Sequence, residues 1–233
     1  MTDPNQVRHL DALWRVLSEQ RLEGYGGGAM PRPDVITRYL WNMALCEALY
    51  PSLQALEVAL RNTLFSAGEA VYPFPGAPAE GQTACWLDLP GILHGEESTR
   101  VAAAKRRLKE ANKALEPGRV VAELSFGFWT ALFDVRYENT KILWPRLFGQ
   151  KIFADAPRNK RSRKALSPLL NRVRLLRNRA FHHEPIWHWK DLPDQHAVTL
   201  DLICWMSPLS GRPWRHWIGS TQCIPRDWSR FAR

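Results

Sequence analysis

No two cysteines of this 233-residue chain form a CxxC pair, and the four present, at 46, 85, 204 and 223, follow no regular spacing. That argues against a zinc ribbon and against a disulfide framework, and makes a reducing cytosol the simplest home. The chain also lacks any run of about 18 apolar residues, so no segment is expected to span a bilayer. Its opening, MTDPNQVRHLDALWRVL, is broken by charge and does not read as a secretory signal. A soluble, cytoplasmic protein without membrane contact is the expectation. A P-loop and a GxGxxG are absent too, and GYGGG at 24–28 follows a helical segment rather than a strand, so it is not expected to cradle phosphate. Motifs for a Ser or Cys nucleophile are missing, as are internal repeats and alternating strand patterns of useful length.

What is present is enough apolar sequence for a real core, 45% of the chain, at a length that suits one large or two small domains. A single domain is the preferred reading. The formal charge of +9 favours an anionic partner. Its distribution is uneven: Arg158 to His183 holds nine Lys/Arg and no Asp or Glu, while the other 23 cations balance 23 acids. The excess positive charge therefore has an address in the sequence.

Apolar spacing of three and four reads as helix nearly throughout. Asp3 and Pro4 look like a cap and first-turn proline for a helix carrying Val7, Leu10, Leu13, Trp14 and Leu17, which the glycines at 24–28 end. From Asp34 a helical pattern runs to Pro51 and continues through Leu53, Leu56, Leu60 and Leu64, as two helices or one kinked at the proline. Residues 73–95 are rich in Pro and Gly and read as a long surface connection. An exposed amphipathic helix then precedes VVAELSFGFWTALFDVRYE, expected as one apolar central helix, and TKILWPRLF, expected as a short one. Leu166, Leu169, Leu170, Val173, Leu176 and Ala180 give the basic segment an apolar face, with Pro168 as a kink or first-turn residue and Pro185 as the stop. The expected division is 1–33, a helix and Gly-rich linker; 34–190, the main helical domain; and 191–233, a last helix and a basic, Trp-rich tail packed on it. The class is all-α.

The chemistry concentrates in RVRLLRNRAFHHEPIW, Arg172 to Trp187. Arg177 and His182 form an R-x4-H pattern with Asn178 between them. Five positions turn a straight helix by about 500°, leaving the two side chains roughly 140° apart. They can converge if Pro185 loosens the helix end near His182 to Glu184, or if two copies each bring an Arg-His set to a shared groove. Such a set suits RNA cleavage without a metal. An imidazole titrates near working pH and can take a proton from a ribose 2′-hydroxyl or give one to the leaving 5′-oxygen. A guanidinium can hold the phosphate by two hydrogen bonds and stabilise the developing charge. Asn178, four residues before His182, can orient its ring if the last turn stays helical. The products would carry 2′,3′-cyclic phosphate and 5′-hydroxyl ends.

RNRAFHH in a late helix, with the earlier YPSLQALEVALRN and the middle ELSFGFWTALF in that order, resembles the Abi-like proteins of bacterial abortive infection, members of the HEPN superfamily. The resemblance spans residues 35 to 190. It implies a HEPN-like helical bundle, often a homodimer, in which Arg177, Asn178 and His182 cleave RNA without cofactors, extended by His183 and Glu184. It also implies a role as a toxin or phage-defence effector restrained by an antitoxin or a phage-derived trigger. Some members of that superfamily only bind RNA or protein partners.

Other residues carry two readings each. Glu57, Arg61 and Asn62 offer either an intrahelical Glu57–Arg61 ion pair or a second set in which Glu57 orients Arg177. Arg158, Lys160, Arg161, Arg163 and Lys164, followed by Arg172, Arg174 and Arg179, form either a solvated face or an RNA-contacting ridge. His182 and His183 also suit a hydrogen-bonded helix end. His182, His183, Glu184, His188 and His196 hold metal-ligating atoms, but no HExxH-like spacing supports a site and the nearby cations oppose a divalent ion, so no metal is expected. Six of the eleven tryptophans follow residue 186. They suit core packing better than base stacking.

Overall fold

A computed structural model describes residues 4–147 and 152–206. Asp3 and the Trp-rich segment from 207 onward, including Cys223, lie outside the described residues. Within them the chain is helical, with no strand. The all-α expectation holds.

The N-terminal helical pattern divides in two, α1 (Pro4–Leu17) and α2 (Glu19–Glu23). Ser18 makes the break: it takes a left-handed φ of 66° and its hydroxyl accepts from the Arg21 amide at 3.3 Å, restarting the helix. Trp14, Leu22 and Tyr25 pack with Val35 and Ile36 as a small cluster, and Trp187 links that cluster to the main core.

The long pattern from Asp34 is one helix, α3 (Arg32–Val71), 40 residues and about 60 Å. Its buried stripe of Leu45, Leu49, Leu53, Leu56, Leu60 and Leu64 passes Pro51 without interruption. Pro51 is tolerated because it stands on the exposed side with Glu47, whose carbonyl loses its usual amide donor. Opposite that side, α3 packs along α9 (Leu192–Met206) and against α8 (Arg163–Phe181).

The expected central helix of 120–138 is three short ones, α5 (Pro117–Glu123), α6 (Phe126–Ala131) and α7 (Val135–Asn139). Two caps divide it. The Ser125 hydroxyl accepts from the Phe128 amide at 3.4 Å, and the Asp134 carboxylate accepts from Arg136 at 2.9 Å. The segment is central nonetheless: Phe126, Phe128, Trp129, Phe133 and Tyr137 are buried. No α-helix follows at 140–147, where Lys141 has a φ of 55° and the Trp144–Pro145 bond is cis. Helix α4 (Gly95–Glu110) is the expected exposed amphipathic helix, with Val101, Ala104 and Leu108 on its buried stripe; Glu97 joins them, fully buried and bonded to Arg136 at 2.6 Å and Tyr137 at 2.8 Å.

The 73–95 connection lies on the surface at 75–80, as expected, but is pinned into the core around Trp86. Trp86 is fully buried, its indole donates to the Phe65 carbonyl at 3.1 Å, and its ring fills the space where Gly68 has no side chain. A Cβ on Gly68 would stand 2.2 Å from that ring.

Candidate functional site

Helix α8 begins at Ser162, whose hydroxyl accepts from the Ala165 amide at 3.1 Å, so Pro168 lies inside the helix, past its first turn. At the other end the helix closes in a Schellman motif. His183 takes the left-handed conformation (φ 58°), the Glu184 amide reaches the Arg179 carbonyl at 2.8 Å, and the His183 amide reaches that of Ala180. Histidine is among the residues that adopt this conformation most readily. The expected loosening is thus a defined turn, and it comes one residue too late to re-aim His182. The His182 amide still bonds the Asn178 carbonyl at 2.9 Å, so Arg177 and His182 keep their angular separation of about 140° within one chain. Asn178 and His182 share a face.

Arg177 points toward α3. Its Nε and Nη2 meet one oxygen of Glu57 at 3.1 and 3.0 Å, and its guanidinium lies 4.4 Å over the Phe181 ring one turn on. Both partners are largely buried. The Nη1 atom has no hydrogen-bond partner among the described residues. Of the two readings of Glu57, the contact made is with Arg177. Arg61 lies on the same helix with its Nε buried and unpaired among the described residues, and Asn62 borders a shallow groove with Thr63 and Ser66. His182, His183 and Glu184 are exposed.

The turn after α8 is clasped from two sides. Asn42, 2% exposed, accepts from the Ile186 and Trp187 amides at 2.7 and 3.1 Å and donates to the Glu184 carbonyl at 3.4 Å. From α2, Arg21 donates to the His183 carbonyl at 2.8 Å, and Gly24 lies so close to Pro185 that a Cβ would stand 2.7 Å from its ring. Neither Asn42 nor Arg21 belongs to the motif. The signal for Asn42 is a polar residue on the stripe of Val35, Leu45 and Leu49.

The basic segment is less positive in space than in sequence. Arg163 is buried, bonding Glu138 at 2.6 Å and the Phe133 carbonyl at 3.0 Å, so it stands inside the fold rather than on a ridge. Arg172 pairs with Asp191 at 2.5 Å, and that guanidinium holds the Asp191 carboxyl below its ordinary range. Arg179 lies 3.5 Å from Glu184 and over the Trp189 ring. Arg161 donates to the Ala156 carbonyl at 2.6 Å and Arg174 to Asn171 at 3.4 Å. Arg158, Lys160 and Lys164 carry no ion pair among the described residues.

Among the described residues no three His, Cys, Asp or Glu gather as a metal site would require. His196 is held below its ordinary value by burial, and His188 by burial and then Arg179. Beside the α8 end lies a cavity of about 770 Å³, lined by Tyr25, Tyr39, Tyr50, Phe181 and His183 among others. Burial, then Cys46, pushes the Tyr25 phenol up to about 12, so it stays a protonated donor. Among the described residues no helix is long and apolar enough to cross a membrane. The chain matches no family model, no curated protein and no solved structure.

Proposed function

We propose that the chain is a metal-independent endoribonuclease that cuts RNA with Arg177 and His182. One observation carries the reading: a largely buried carboxylate, Glu57, fixes one edge of the Arg177 guanidinium and leaves Nη1 open, five and six residues before two exposed histidines. An arginine so held is ordered before substrate arrives, the condition under which a charged donor stabilises a transition state best. In the reaction, the 2′-oxygen bonds to phosphorus as the bond to the 5′-oxygen breaks. One imidazole accepts the 2′-hydroxyl proton and another supplies a proton to the 5′-oxygen.

The angular separation of Arg177 and His182 within one chain supports a homodimer in which each copy lends its histidine to the other's arginine. The likeness to Abi-like HEPN proteins adds the role: a toxin or phage-defence effector, cytoplasmic, restrained by an antitoxin or released by a phage-derived trigger. Asn178 orients His182 from the preceding turn. Arg158, Lys160 and Lys164, which have no ion pair among the described residues, contact the RNA backbone. The same separation favours a second reading if the chain proves monomeric, namely a non-catalytic module that binds RNA or a protein partner.

The test is incubation of a mixed labelled RNA pool with EDTA. Wild-type protein is expected to cut it, and His182→Ala to leave it intact with an unchanged far-UV circular dichroism spectrum. Equal cutting by both proteins would overturn the assignment.

A further inference from the structure

The cavity beside the α8 end combines three features. First, it has aromatic walls: Tyr50 stacks on Phe181 with centroids 4.9 Å apart and planes 14° from parallel, and Tyr50 remains 48% exposed. Tyr50 therefore has surface free for a further ring. Its volume of about 770 Å³ lies within the range of about 300–1,000 Å³ usual for small-ligand pockets.

Second, the lining holds polar groups without partners. Tyr25 is fully buried, yet its hydroxyl makes no hydrogen bond among the described residues, a costly state for a buried donor. The Glu47 carboxylate, exposed at the rim, has no ion pair or hydrogen bond among the described residues, and Pro51 denies the Glu47 carbonyl its helical donor. Third, cations are tethered to the lining from outside. Arg21 donates to the His183 carbonyl at 2.8 Å, Arg38 to the Tyr25 carbonyl at 3.4 Å, and Arg177 covers Phe181. An aromatic hole with one carboxylate, ringed by guanidinium groups, matches a base flanked by phosphates.

We propose that this cavity is a base-recognition subsite that receives a guanine of the RNA strand next to the cleaved phosphodiester. The choice of base follows from hydrogen-bond inventory. Guanine presents two adjacent donors, N1–H and the exocyclic amino group, which a carboxylate such as Glu47 accepts together. Adenine and cytosine pair a single amino donor with a ring acceptor, and uracil offers one N–H between two carbonyls. Tyr50, half exposed, supplies the stacking surface. The subsite rests on the ribonuclease reading, because it places His183, and with it His182, beside a bound nucleotide.

The test uses full-length His182→Ala protein and calorimetric titration with GMP, AMP, CMP and UMP, followed by mapping of wild-type cleavage positions. GMP is expected to bind at least tenfold more tightly than the others. Glu47→Gln is expected to reduce that preference to within twofold, and Tyr50→Ala to weaken all four nucleotides, both with an unchanged circular dichroism spectrum. Equal binding of the four, no saturable binding, or indifference to both substitutions would overturn the proposal. So would a dimer that Tyr50→Ala converts to monomer with no GMP binding, which would assign the cavity to a second copy. GMP selectivity without RNA cleavage would uphold the subsite while the nuclease reading fails. Cleavage without base preference and without mononucleotide binding would do the reverse.

Discussion

Glu57 and Arg177 lie 120 positions apart and meet through two contacts on one carboxylate oxygen. Glu57 does not touch the proposed scissile group, so it acts by positioning. Glu57→Gln keeps the side-chain volume and removes the charge that fixes the guanidinium. It is expected to lower kcat about 100-fold, the penalty usual for a small misplacement of a catalytic group, while KM for RNA changes little. A matched rise in KM, with kcat unchanged, would instead make Glu57 part of RNA binding. At this scale the sequence was half legible. The EVALRN segment marked Glu57, but residue spacing alone offered Arg61 as an equal partner, because neither helix packing nor crossing can be read from one helix. Asn42 was not found, since a single asparagine among apolar residues gives no hint of which distant amides it serves.

Among the elements, the long helices were legible and the short ones were not. The stripe from Leu45 to Leu64 keeps helical period through Pro51, and the structure keeps one helix. Between 117 and 139 the apolar text is nearly continuous, and only the short-range capping bonds of Ser125 and Asp134 divide it. The loop at 73–95 misled for the opposite reason, as Pro and Gly composition conceals the Trp86 anchor. Gly68→Ala forces a methyl group into the Trp86 ring and is expected to destabilise the fold by about 1–3 kcal/mol, measured by urea denaturation; an unchanged midpoint would mean the anchor yields freely. Helix α9 carries a pH dependence. Burial holds the His196 imidazole below its ordinary 6.5, so the folded chain keeps it neutral while the unfolded chain takes up a proton. The contribution is complete above about pH 6.5 and is lost as the pH falls toward the depressed folded value. Melting temperature is expected to drop between pH 7 and pH 5, and less so in His196→Gln; parallel curves for the two proteins would place the acid sensitivity elsewhere.

For the whole molecule, sequence-local charge and spatial charge differ. The stretch from Arg158 to His183 contains no acid, yet Glu57 and Glu138 come to it from distant parts of the chain, and Glu184 and Asp191 fold back on it from just beyond its end. Folding thus puts Arg163, Arg172 and Arg179 into ion pairs and leaves Arg158, Lys160, Arg161, Lys164 and Arg174 without one among the described residues. A site shared between two copies has its own signature. Arg177→Ala and His182→Ala proteins, each inactive alone, are expected to recover up to about a quarter of wild-type activity when mixed under conditions of subunit exchange, because half of the dimers are then mixed and each holds one intact site; no recovery would place each arginine and histidine in the same copy. The measurement closest to the central claim is the chemistry of the cut ends. Wild-type protein acting on labelled RNA in EDTA is expected to yield 2′,3′-cyclic phosphate and 5′-hydroxyl termini, absent with His182→Ala. Termini bearing 5′-phosphate would contradict attack by the ribose hydroxyl, and with it the roles given to Arg177 and His182.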